Sequence, residues 1–255
     1  MSQQKDESIT ILHQLMDIGE ILLLNGAEVN RVEDTLVRLG TAYGASRMNV
    51  FVITSSVVIT MAFPDGREIT QTRRILGTVG TDFTKLEAFN ELSRRCCNQP
   101  ISASELAREI EDLNQETPNK LRLYLGSALA AGSFAVFFGG TFWDGIVAAI
   151  FGLLICGVQG RLLGYCMNKV IFNLVISLLS GLLICGLAVC IPVLHPNQII
   201  IGDIMLLIPG IAMTNSIRDI LVGDTMSGIM RLTESLLWAG ALAGGFMISI
   251  WITGV

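Results

Sequence analysis

Long apolar runs dominate the sequence beyond Lys120, and this feature restricts the fold more than any other. Of the 22 acidic and 17 basic residues, only five of each lie after residue 120. The chain is 51% hydrophobic and 15% charged, with a mean hydropathy of +0.60, whereas about a quarter of the residues are charged in an ordinary soluble domain. The sequence therefore predicts a charged domain at 1–117 and a membrane domain at 118–255.

Five apolar runs are long enough to cross a bilayer, which takes about 20 residues. They lie at 121–141, 145–163, 171–194, 199–222 and 233–254. Basic residues flank alternate connections, and the connections "GGTFWDG" and "HPNQ" contain neither Lys nor Arg. The positive-inside rule then predicts a cytoplasmic N-terminal domain and an external C-terminus. An odd number of spans cannot form a complete inverted repeat, so we expect a second subunit or a second copy.

The first 117 residues have the pattern of an α+β domain. Asn25-Gly26 is typical of a helix end, Pro64-Asp65-Gly66 of a hairpin turn, and Ser102-x-x-Glu105 of a capping box. The predicted helices cover 9–24, 28–43, 81–97 and 102–115, and the predicted strands cover 49–54 and 56–63, followed by "REITQT". The predicted fold class is therefore an α-helical multi-pass membrane protein with an N-terminal cytoplasmic α+β domain.

The fourth run is interrupted by helix breakers and polar residues. Pro209 removes a backbone hydrogen bond and Gly210 eases unwinding, and in lipid the freed groups are tolerated only against protein or a wet cavity. Beyond the break, Thr214 shares a helix face with Arg218, as Asn215 does with Asp219. Ionisable residues in a span cost about 2.5–3.5 kcal/mol on insertion scales, so they usually face a transport pathway or a partner. The pattern favours a broken-helix binding site that includes Asp224.

A simpler interpretation of this segment remains open. The run from Ile199 to Ile217 is already long enough to cross a membrane, and 218–231 would then be a cytoplasmic loop in which Asp224 caps the last helix. Asp203 is expected near the outer, solvated end of its span. Asp144 and His195 are expected to be ordinary connection residues.

Two charged stretches of the first domain stand out, "NGAEVNRVED" and "QTRRI". They are either solvated surface or parts of a gate that docks the first domain against the membrane domain. The gate residues would be Glu28, Arg31, Glu33, Arg73, Arg74, Arg231 and Glu234.

Other classes of function receive no support from the sequence. The net charge of −5 comes from the first half and gives no indication of a nucleic-acid partner. The six cysteines have no metal-binding or redox spacing. The first domain contains a single histidine, His13, and no nucleophile motif or phosphate loop. We therefore expect no enzymatic activity, metal or cofactor.

Three segments together resemble the bacterial threonine/serine exporter family: "LLLNGAEVNRVEDTL", "PDGREITQTRRI" and "PGIAMTNSIRDILVGDTMSGIMRLTESLL". The resemblance covers nearly the whole chain and implies the larger subunit of a split exporter, working with a smaller membrane subunit of the same family or as a homo-oligomer. It implies export of a small polar metabolite across the bacterial plasma membrane, driven by the proton gradient.

The resemblance leaves the substrate open between threonine or serine and a C4-dicarboxylate such as succinate. A zwitterionic amino acid needs a cationic partner, which Arg218 offers, and an anionic partner, which Asp219 or Asp224 offers. Equal numbers of acidic and basic residues beyond residue 120 favour the amino acid slightly. A membrane-anchored scaffold without transport activity is the alternative from another class.

Overall fold

The computed structural model describes residues 2–77, 80–115, 119–162 and 168–254. It divides into two compact units. The first unit is Met1–Thr117 with Ile211–Leu232, and the second is Pro118–Gly210 with Thr233–Val255. The elements in chain order are α1 Ser2–Leu24, α2 Val29–Ala42, β1 Arg47–Ile53, β2 Ser56–Ala62, β3 Glu68–Arg74, α3 Phe83–Asn98, α4 Ala103–Gln115, α5 Lys120–Phe137, α6 Phe142–Leu162, α7 Lys169–Cys190, α8 Pro196–Leu207, α9 Gly210–Val222 and α10 Thr225–Thr253.

The first unit contains the α+β arrangement that the sequence predicts. Its sheet is antiparallel in the order β1-β2-β3, and Val57, Ile59 and Met61 of the central strand are fully buried because alternate residues of a strand face the same side. Helices α1 to α4 add their apolar faces to this core. The predicted helices and strands are confirmed to within a few residues, apart from a longer α1. Ser102 accepts the predicted capping hydrogen bond from the Glu105 N–H at 3.3 Å.

Several helices beyond residue 120 have a length and composition that suit a membrane. Three helices, α6, α7 and α10, meet that description, and the pair α8 and α9 would add a fourth if it counts as one broken span. The helix over the first predicted span, α5, has 18 residues and is not among them. The described residues thus support three or four spans, and the five-span arrangement stays a prediction.

Small residues let the helices of the second unit approach closely. A methyl group built on Gly245 of α10 would lie 2.6 Å from the carbonyl oxygen of Leu174 on α7. A methyl group built on Gly181 of α7 would lie 2.0 Å from the Ser249 hydroxyl of α10. Glycine at these positions brings the two backbones into contact, which is the usual basis of helix association in lipid.

Residues 218–231 are largely helical, since α9 continues to Val222 and α10 begins at Thr225, directly after Asp224. Whether they lie in the membrane or in a cytoplasmic connection stays a prediction. Gly223 makes the turn between α9 and α10 with a positive φ of 112°, a conformation that costs glycine little.

Candidate functional site

The helix break lies where the sequence places it. Helix α8 ends at Leu207, Ile208 is extended with φ −62° and ψ 127°, and α9 begins at Gly210. The extended form of Ile208 follows from the proline after it, whose ring disfavours the helical region for the preceding residue. This break starts a polar segment, α9 and the first two turns of α10, which belongs to the first unit.

A short loop of the first unit, Asn25–Glu28, lies against the polar segment. Gly26 has a φ of +92°, and a methyl group there would lie 2.9 Å from the carbonyl oxygen of Gly80, so glycine is required at this turn. Its own carbonyl oxygen accepts a hydrogen bond from the Asn215 side-chain amide at 3.1 Å. The predicted polar face of α9 is therefore in contact with the "NGAE" loop, which we call the loop below.

Arg218 forms an ion pair with the end of the loop. Its guanidinium Nη1 lies 2.7 Å from the Glu28 carboxylate, which also has Arg31 at 3.6 Å. The Arg218 side chain is 56% exposed, and exposed ion pairs contribute only about 0–1 kcal/mol. The Arg218 guanidinium is thus accessible to another anion, although the Glu28 side chain is only 18% exposed.

Arg231 and Asp219 form the buried centre of the cluster. Their side chains are 7% and 2% exposed and approach to 3.3 Å, and both Nη atoms of Arg231 donate to the Ala27 carbonyl oxygen at 3.3 Å. The Val29 N–H, in the first turn of α2, hydrogen-bonds to the Asp219 carboxylate, and a helix N-terminus favours such an anion. The Asp219 Oδ2 atom faces Arg231 without the geometry of a hydrogen bond.

Two further carboxylates extend the cluster. Asp224 lies in the turn before α10, its N–H donates to the Asp219 carbonyl oxygen at 2.9 Å, and its buried Oδ2 has no hydrogen-bond partner among the described residues. Glu33 of α2 accepts a hydrogen bond from the Val52 N–H at 2.8 Å. Burial raises the pKa of Glu33 in spite of this bond, and the negative charge of Asp224 raises it further.

The remaining predicted residues lie elsewhere. Arg73 forms ion pairs with Asp17 and Glu20 of α1, and Arg74 is exposed at the end of β3. Thr214 is exposed on α9. Pro209, Gly210 and Glu234 belong to the second unit.

Sequence reasoning missed two groups of residues. Gly26 and Ala27 contact the polar segment through their backbone oxygens, so their residue types gave no signal in the sequence. Asp203 and Asp144 were expected to be solvated, and both are 0% exposed. Asp144 accepts hydrogen bonds from both the N–H and the Nδ1 of His195, at 2.8 and 2.9 Å, because the loop before α8 covers it. An aspartate inside the apolar run "IIIGDIMLL" was the available signal for Asp203.

The fold and this cluster define a helical membrane protein whose polar segment presents both signs of charge beside a loop of the N-terminal domain. A family profile described as "Putative threonine/serine exporter" matches residues 13–253. The chain therefore belongs to the threonine/serine exporter family.

Individual relatives agree with this assignment. The chain is 24% identical to the "Probable threonine/serine exporter" of Mycobacterium tuberculosis over 94% of its own length and 46% of the relative's. It is 24% identical to the "Threonine/serine exporter" of Corynebacterium glutamicum over 93% and 50%. The chain thus spans about half the length of these two relatives. It is 21% identical to the "Probable succinate transporter subunit YjjP" of Klebsiella aerogenes, over 100% of its own length and 98% of the relative's. No solved structure matches the chain.

Proposed function

We propose that the chain is a subunit of a secondary transporter that exports a small polar metabolite, threonine or serine in the first instance, from the bacterial cytoplasm. The observation that carries this proposal is the contact of Asn215, Arg218 and Arg231 with the loop, which gathers both signs of charge and a side-chain amide on one segment. A zwitterionic amino acid requires this combination of groups.

The substrate's carboxylate would bind Arg218, whose side chain is 56% exposed, and displace Glu28. Its ammonium group would bind Asp219 or Asp224, each of which has a buried Oδ2 without a hydrogen-bond partner among the described residues. Asn215 and Thr214 would donate hydrogen bonds, and the break at Pro209-Gly210 would expose backbone groups to the substrate.

The loop would then act as a gate. Its backbone oxygens accept hydrogen bonds from Asn215 and Arg231, and Glu28 forms the ion pair with Arg218. A bound substrate would compete for these groups and release the loop, since a ligand shifts an equilibrium only by its difference in affinity for the two states.

The surrounding arrangement belongs to the same proposal. The proton gradient would drive export, the chain would cross the plasma membrane five times with a cytoplasmic N-terminus and an external C-terminus, and a smaller membrane subunit or a second copy would complete the pathway. Matches to only about half of two exporters support the need for a second component.

Export of a C4-dicarboxylate is the second candidate. It is favoured by the succinate transporter subunit, which the chain matches over nearly the full length of both. A dicarboxylate would need two cations, Arg218 and Arg231, and would leave Asp219 without a role in binding. A scaffold without transport is the remaining alternative.

Efflux from proteoliposomes loaded with labelled threonine, serine or succinate tests the proposal. The chain would be reconstituted alone and with a candidate small subunit, with and without a pH gradient. We expect Asn215→Ala and Arg218→Gln to lose most of the efflux, and Arg94→Gln, which breaks an exposed ion pair with Glu91 on α3, to retain it. Equal efflux from Arg218→Gln and the unmodified chain would contradict the proposed site. A chain that binds its partner and moves none of the three substrates would favour the scaffold.

A further inference from the structure

Asp203 is a buried carboxylate of the second unit, and the proposed substrate site does not use it. It lies on α8 between Ile199 and Leu207, which share its helix face at intervals of four residues and belong to the apolar core of the second unit. The residue is 0% exposed.

The packing of α8 holds this carboxylate inside the unit. At the neighbouring Gly202, a methyl group would lie 2.5 Å from the carbonyl oxygen of Ala131 and 3.0 Å from the Cβ of Ala135, both on α5. The two helix backbones are therefore in direct contact. Because α8 cannot turn without breaking this contact, the Asp203 side chain stays in the core.

Neither carboxylate oxygen of Asp203 has a hydrogen-bond partner among the described residues. Helices α5, α6 and α7 pack against α8, and the buried titratable groups that they carry are Asp144, Cys156 and Cys185. Asp144 is engaged by Thr141 and His195, and neither thiol reaches Asp203. The exposed or partly exposed titratable groups lie toward the ends of these helices: Lys120, Arg122 and Tyr124 of α5, Arg161 of α6, and Lys169 and Cys190 of α7.

An ionised carboxylate without a partner is strongly disfavoured in such surroundings, so the group needs either a cation or a proton. A hard metal ion takes several oxygen ligands, and the described residues contain no group of three acidic, histidine or cysteine side chains that could hold one. A proton needs only one carboxylate oxygen.

We propose that Asp203 is a reversible proton-binding site of the membrane unit. The carboxylate takes up a proton on one Oδ atom to become a neutral carboxylic acid, and it releases that proton when a conformational change admits water. This proton is also the one that couples export to the gradient. That coupling, unlike the proton site itself, rests on the proposed function.

Infrared difference spectroscopy of the lipid-reconstituted full chain tests the proton site without any transport. We expect the carbonyl band of a buried carboxylic acid at neutral pH, a shift of this band in deuterated water, and its loss as the pH is raised. The band should be missing in Asp203→Asn, an uncharged replacement of the same shape, and present in Asp112→Asn, which alters an exposed residue of α4. Asp203→Glu should keep the band at a changed frequency, which controls for misfolding of the Asn variant.

A band that persists unchanged in Asp203→Asn, or the absence of a titrating band from the unmodified chain, would overturn the proposal. A carboxylate band that changes with sodium concentration at constant pH would also overturn it, because the group would then bind sodium and not a proton. In the transport assay, the efflux of Asp203→Asn should be the same with and without the pH gradient. A titrating Asp203 band in a chain that moves no substrate would support the proton site and reject the proposed function.

Discussion

The two units of the chain differ in how many large apolar side chains they expose. The first unit encloses large side chains completely, among them Leu12, Leu15 and Phe89, each at most 1% exposed. The second unit buries alanine at 131, 135 and 148 and leaves Leu129, Phe137 and Trp251 between 70% and 84% exposed. Both units have buried large apolar side chains, and the second exposes many more of them.

The difference reflects the solvent of each unit. In water, burying apolar surface stabilises a fold by about 25 cal/mol per Å², so large side chains move inside. Lipid is as apolar as leucine, so helices in a membrane gain instead from close backbone contact between small residues. The packing of the first unit fits the rule for water, and the exposed apolar surface of the second unit fits the rule for lipid.

The buried carboxylates Asp219 and Asp203 differ in their partners, although the second unit also contains a partnered one, Asp144. In the first unit, Asp219 has Arg231 and the Val29 N–H as partners. In the second unit, neither oxygen of Asp203 has a hydrogen-bond partner among the described residues. A buried carboxylate with partners contributes to structure or binding, whereas one without them is available for a proton.

Truncating one leucine in each unit gives the largest contrast that we expect. Leu15→Ala should destabilise the first unit by about 2–5 kcal/mol, because it removes a fully buried side chain and leaves a cavity. Leu129→Ala, at a position of α5 that is 70% exposed, should change stability by less than about 0.5 kcal/mol. Hydrogen exchange of the full chain in lipid nanodiscs, resolved by segment, measures both. Comparable losses would contradict the division into two solvents.

Two glycines of α10 test whether close packing of small residues stabilises the second unit. Gly245→Ala should destabilise the second unit by about 1–3 kcal/mol, since its methyl group would lie within 3 Å of backbone atoms of Leu174 and Leu178. Gly240→Ala meets nothing within 4 Å and should be neutral or stabilising, by up to about 1 kcal/mol from helix propensity. Thermal unfolding followed by tryptophan fluorescence measures the effect, because Trp143, Trp238 and Trp251 all lie in the second unit. Equal behaviour of the two variants would show that α7 and α10 do not pack through Gly245.

The smallest expected effect concerns the pH dependence of the first unit. The pKa of Glu33 is raised in the folded protein, so its contribution to stability is present below its unfolded value and is lost as the pH rises through the folded value. Glu33→Gln keeps an acceptor for the Val52 N–H and should gain stability, relative to the unmodified chain, between pH 4 and pH 7. We expect a gain of at most about 1 kcal/mol, since the group is only partly buried. Denaturant titrations at both pH values measure it, and exposed Glu87→Gln, the matched control, should give no such change.

Local patterns in the sequence predicted most of the secondary structure. Asn25-Gly26 marked the end of α1, Pro64-Asp65-Gly66 the turn between β2 and β3, and Pro209-Gly210 the break after α8. These features depend on neighbours a few residues apart. The last predicted span, 233–254, covers only part of α10, which begins at Thr225, directly after the residue that was considered as its cap, Asp224.

The candidate site was only partly accessible from the sequence. Asn215, Arg218 and Asp219 were identified as costly residues in an apolar run, and Glu28 and Arg231 as possible gate residues. Their partners could not be paired, because Arg218 is separated from Glu28 by 190 residues and Arg231 from Ala27 by 204. Such distances are closed only by the packing of whole helices.

The sequence by itself determined that the chain has a charged half and an apolar half, and where its helices must break, because composition and proline act locally. Only the tertiary structure decided that residues Ile211–Leu232 belong with the first unit, and that Asp219 has partners while Asp203 has no hydrogen-bond partner in the described part of the chain. The physical reason is that the charge state and contacts of a buried group depend on what surrounds it in space, and those neighbours come from distant parts of the chain.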